Sequence, residues 1–176
     1  MNSFSLISLS HPTKMKKYFF IPLFLLIVFS CNNQTGNKIF LFNNASFELL
    51  QGEASSTITE VEKDRFFSYF DKQAFNIPIY KHIKSHTHTI YIALPYNTSI
   101  QELSETKLIS CDIDSSAQKK ESSCFYNRYE CSGEFITEYV TSLDGNMVYL
   151  LAASSSKEVA DSLFSFETIR NRFLLK

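Results

Sequence analysis

Two long stretches rich in β-branched and aromatic residues, 134–143 and 147–153, flank the dipeptide Asp144-Gly145. Both residue types tolerate positive φ, which a two-residue hairpin needs if its twist is to match that of the strands it joins. The chain is thereby committed to an antiparallel hairpin, and the rest must pack on it. Upstream, 107–114 and 124–130 continue the extended pattern, which predicts a meander of about four antiparallel strands.

Helical signals bracket that meander. Thr57 followed by Glu60 forms a capping box, and Val61, Phe66, Phe67, Phe70 and Ala74 fall largely on one face, predicting a helix over about 58–75 that Asn76-Ile77-Pro78 terminates. Ser155 and Glu158 form a second box, and Val159, Leu163, Phe166, Ile169 and Phe173 recur at helical spacing, predicting a helix over about 156–173 laid across the sheet. Strands at 38–42, 47–50, 79–83 and 87–94 and a helical turn at 99–103 complete the pattern. The expected fold class is α+β, an antiparallel sheet packed by an N-terminal and a C-terminal helix. The strand-turn-strand-helix ending resembles the close of PsbP and Mog1-like domains, and no function is carried over from that resemblance.

A different signal occupies the start. Lys14, Lys16 and Lys17 precede a mostly apolar run, Tyr18 to Phe29, that ends at Ser30-Cys31. Twelve residues are too few to span a bilayer, which needs about twenty in helix, but they suit the hydrophobic part of a secretory signal. With small Ser30 before Cys31 and Val28 three residues before it, Met15 to Cys31 resembles the lipobox of bacterial lipoproteins; Phe29 is bulkier than that family's usual residue. The resemblance implies cleavage before Cys31, a lipid on its thiol and acylation of the new amino terminus, so that Cys31 is the lipidation residue and the bilayer a partner. Three acyl chains exceed the two signals that stable anchoring requires. The expected organisation is a signal peptide over 1–30, with Met15 as an alternative start, a polar tether over 31–37 and one globular domain over 38–176. Without an aspartate after Cys31, analogy with other lipoproteins points to the outer membrane, facing the periplasm or the surface.

Charge then bears on partners. The three lysines named above lie ahead of Cys31 and no acidic residue does, so residues 31–176 hold 14 Lys and Arg against 18 Asp and Glu, a net charge of −4. A mildly acidic body argues against nucleic acid, since phosphate binding needs clustered cations.

Cys111, Cys124 and Cys131 follow the lipidated cysteine. In an oxidising compartment two of them are expected to pair. A turn near Gln118 would set Cys111 opposite Cys124, the favoured bridge, with Cys124 to Cys131 or three reduced thiols as alternatives.

His82, His86 and His88 are the candidate zinc or copper ligands, at a spacing imidazoles use for such metals, although Lys81 and Lys84 among them repel a cation. Asp112 and Asp114 share a strand face without the oxygen-rich loop of a calcium site. Ser-x-x-Lys occurs at Ser104, Ser116 and Ser154 without the accompanying motifs of serine acylases. Glycine loops for phosphate and zinc-protease helices are missing from the sequence. No cofactor is expected. The reading is a membrane-anchored envelope lipoprotein, a non-enzymatic module binding another envelope protein or a ligand. The alternative is a small envelope enzyme or metal-binding protein using those histidines or a free cysteine.

Overall fold

In the computed structural model, residues 37–70, 77–105, 108 and 111–175 are described. In chain order they form β1 (Lys38–Phe42), β2 (Ala45–Glu48), β3 (Ala54–Ser56), α1 (Glu60–Ser68), β4 (Ile79–Lys84), β5 (His88–Ala93), α2 (Ile100–Glu105), β6 (Asp112–Ile113), a 3₁₀ turn (Ser115–Ala117), β7 (Lys119–Glu121), β8 (Cys124–Cys131), β9 (Glu134–Leu143), β10 (Asn146–Ser154), α3 (Lys157–Leu163), α4 (Phe166–Arg172) and β11 (Phe173–Leu175). The fold is α+β, and its strand pairs are antiparallel.

The described strands make two sheets. The larger runs β3-β4-β5-β10-β9-β8-β6, with β7 also on β8, and the smaller runs β1-β2-β11. Its centre is the expected hairpin: Asp144 and Gly145 adopt φ of 49° and 76°, and Asn146 pairs with Leu143. Ser132 and Gly133, at 49° and 84°, form the corresponding turn between β8 and β9.

Strand β10 is buried throughout Val148–Ser154 because the large sheet is covered on both faces. On one face Ile90, Ile92, Val148, Leu150 and Tyr139 pack with Leu41 and Phe47 of the small sheet and with Ala160, Phe164 and Ile169 of the last two helices. The other face sets Tyr91, Tyr149, Leu151, Ile136, Val140 and Phe125 against Phe66 and Phe70 of the α1 region and Leu103 of α2. Alternation along each strand sorts the two sets.

Both expected helices are shorter than their periodicity implied. Thr59, two residues later than expected, caps α1 by accepting from the Glu62 amide at 3.3 Å. The helix ends at Ser68, Tyr69 is its C-cap, and Phe70 forms a bridge with Leu108; the remainder of the expected span, 71–75, lies outside the described residues. The C-terminal stripe breaks into α3 and α4, with Ser156 and Ser165 as their caps. Phe164 is fully buried and Phe166 nearly so. Residues two apart on a helix point about 200° away from each other, so one helix cannot send both rings into one core. Phe173–Leu175 then leaves helix altogether and pairs with β2.

Candidate ligand pocket

The covalent frame of the site is a disulfide between Cys111 and Cys131, Cα atoms 4.4 Å apart. This corrects the expected Cys111–Cys124 bridge. Asp112 is in register with Glu130, which places Cys111 beside the far end of β8, whereas Cys124 is opposite Glu121. Cys124 and Cys131 are also seven positions apart on one strand, an odd interval that sends their side chains to opposite faces. Cys124 is a buried free thiol, its pKa raised by burial and by Glu121.

Within that frame lies a cavity of about 840 Å³. Its lining includes Leu108, Ile113 and Phe125 as apolar wall, Gln118, Asn127 and Tyr129 as polar floor, and Ser104, Glu105 and Lys120 on α2 and β7. Much of it comes from residues 111–131, because β6 and β7 both return to β8.

Beneath the floor is Glu138, fully buried in the middle of β9. Tyr149 Oη donates to its Oε1 at 2.7 Å, and Tyr129 Oη and Asn127 Nδ2 donate to its Oε2 at 2.9 and 3.0 Å. Burial pushes the Glu138 pKa above the ordinary carboxylate range, while the three donors pull the other way. Burial and the neighbouring Glu138 in turn raise both phenols. Gln118 Nε2 reaches Asn127 Oδ1 at 3.3 Å, so the network extends from the core to the cavity. None of these residues had been singled out in the sequence. A usable signal was present: Glu138 is in phase with Ile136 and Val140, an acid on the apolar side of a central strand.

The three histidines are not brought together. His82 pairs in register with Tyr91 and stacks on it at 4.9 Å, with Nδ1 2.6 Å from Ser56 Oγ; burial lowers its pKa. His88, in phase with Ile90 and Ile92, points to the opposite face, and His86 is exposed in the intervening turn. Among the described residues no group of three His, Cys, Asp or Glu side chains is placed to hold a metal.

His88 instead belongs to a second buried network. Its Nε2 lies 2.7 Å from Glu53 Oε1, while Arg172 donates through Nη2 to Glu53 Oε2 and through Nε to the Glu48 carbonyl at 3.0 Å. Burial works to raise the Glu53 pKa, but His88, the Leu50 amide and Arg172 together hold it below the ordinary value. This cluster joins β2, β5 and α4 and opens onto no described cavity. Ser104, of the Ser-x-x-Lys pattern, does line the pocket; its hydroxyl donates to the Gln101 carbonyl at 2.8 Å and accepts from exposed Lys120 Nζ at 3.3 Å. Lys107, its partner in that pattern, lies outside the described residues.

Among the described residues no helix is long and apolar enough to cross a membrane. No family model matches the chain, and no curated protein matches it. Among solved structures the chain is similar to the cyanobacterial PsbP protein (CyanoP) of Synechocystis sp. PCC 6803, at 10% identity and a TM-score of 0.43, over 76% of this chain and 87% of that one.

Proposed function

We propose that this protein is a lipid-anchored envelope protein whose body is a non-enzymatic binding module, taking its ligand in the pocket between α2 and the β6–β8 region. The observation that carries the binding half is a cavity of about 840 Å³ whose polar floor is held rigid by a fully buried carboxyl group. Side chains locked by buried hydrogen bonds present a fixed pattern of polar atoms, as ligand recognition requires. The anchoring half is carried by the Met15 to Cys31 segment, with Cys31 joined to the outer membrane and residues 32–37 as a spacer. The Cys111–Cys131 disulfide supports this reading, because such bonds persist in oxidising compartments outside the cytoplasm. A partner protein in the envelope is the other class of occupant for the same body.

Mass spectrometry of the native protein tests the anchor. A mature chain starting at Cys31 and carrying acyl mass is the expected result; an unmodified Cys31 thiol, or residues 1–30 still attached, would overturn it.

A further inference from the structure

The outer face of the small sheet carries apolar side chains that the core does not use. Ile39 and Leu41 of β1 are buried in the core, so Phe40 between them points away from it, with 62% of its surface exposed. Phe173 of β11 packs on that same core, which turns Leu174 outward. Phe40 and Leu174 share Ser46 as their partner in register and therefore lie on one face, two strand spacings or about 10 Å apart. Exposed Lys38, two residues before Phe40, is on that face too. Leu175, 57% exposed, follows at the edge of the sheet.

What meets this face follows from where the body begins. Seven residue steps separate Cys31 from Lys38, a reach of about 25 Å at most. A folded body of this size has a radius of gyration of about 14 Å, so turning its far side to the bilayer would carry Lys38 beyond that reach. We propose that the outer face of β1-β2-β11 rests on the bilayer, with Phe40 and Leu174 at the boundary between headgroups and acyl chains and the Lys38 ammonium on lipid phosphate. Apolar side chains flanked by a cation suit that boundary. The pocket is then turned away from the lipid, because its Leu108, Phe125 and Tyr129 belong to the opposite face of the large sheet from the one the small sheet covers. This inference rests on the reading of Cys31 as the lipidated residue.

Tryptophan reporters test the orientation. The chain has no tryptophan, so Phe40→Trp and Val61→Trp each introduce a single one. Val61 is 73% exposed on α1, which packs against the opposite face of the large sheet. The acylated protein carrying either change would be reconstituted into phosphatidylethanolamine and phosphatidylglycerol vesicles with brominated acyl chains and floated on a density gradient. Relative to unbrominated vesicles, Phe40→Trp is expected to lose emission roughly twofold or more and Val61→Trp to keep it, because interfacial side chains sit about 5–10 Å into the lipid. Leu174→Trp, on the same face, takes the place of Phe40→Trp if that variant does not fold. Floating protein in which the small-sheet reporter is quenched no more than Val61→Trp overturns the orientation and leaves the anchor standing. Protein that does not float with the vesicles overturns the anchor and this inference with it.

Discussion

Glu138 shows what one misfit residue can organise. Its strand is buried on both faces from Ile136 to Thr141, and it places a carboxyl group on the face where Ile136 and Val140 place aliphatic side chains. Removing one donor leaves that group short of a partner, so Tyr149→Phe is expected to lower stability by about 1–3 kcal/mol, measured by urea unfolding with circular dichroism. The pH dependence has a definite sign. Because the folded pKa of Glu138 lies above its unfolded value, the native state binds the proton more tightly and stability falls as pH rises from the ordinary carboxylate range through the folded pKa. Glu138→Gln should flatten that part of the profile, and an unchanged slope would show that Glu138 does not titrate there.

Elements were legible where local chemistry dictated them and obscure where distant contacts did. Asp144-Gly145 and the strands it joins are written locally, and the structure reproduces them within a residue or two. The split between α3 and α4 was hidden because helical spacing of Val159, Leu163, Phe166 and Ile169 persists across the break; only the simultaneous burial of Phe164 and Phe166 reveals it. Pairing of the cysteines depended on strand register and parity, and the Lys119–Glu121 return of the chain to β8 was not recognised. The pocket floor was missed for a related reason: Asn127, Tyr129, Glu138 and Tyr149 come from three strands and meet only in register. Cys111→Ser is expected to cost about 3 kcal/mol, the scale for a loop of this size, and to weaken any pocket ligand because most of the lining lies inside that loop. Under denaturing, non-reducing conditions a fragment of residues 32–176 should show one reactive thiol, Cys124; three would contradict the pairing.

At the scale of the whole molecule, the Glu53–His88–Arg172 cluster ties the small sheet and α4 to the large sheet. Truncating one member leaves buried charge unpaired, so Arg172→Ala should destabilise by about 3–5 kcal/mol. Here the sign of the pH effect is the reverse of that at Glu138. The folded pKa of Glu53 is depressed, so its contribution is complete above the unfolded carboxylate pKa and is lost as pH falls through the folded one. Acid titration of the wild type and of Glu53→Gln, followed by tyrosine fluorescence, should show the variant with the shallower loss of stability at low pH.

The order of strands in the small sheet governs when that layer can close. Its middle strand, β2, is flanked by the first strand of the body and by the last, with Phe47 in register with Phe173. Phe47 therefore waits for a companion made long after it, and contacts so far apart along the chain form slowly. A ribosome-bound chain lacking residues 173–175 cannot complete this layer. Until β11 has emerged, β2 keeps one edge bare, and a bare edge of that kind pairs readily with a foreign strand.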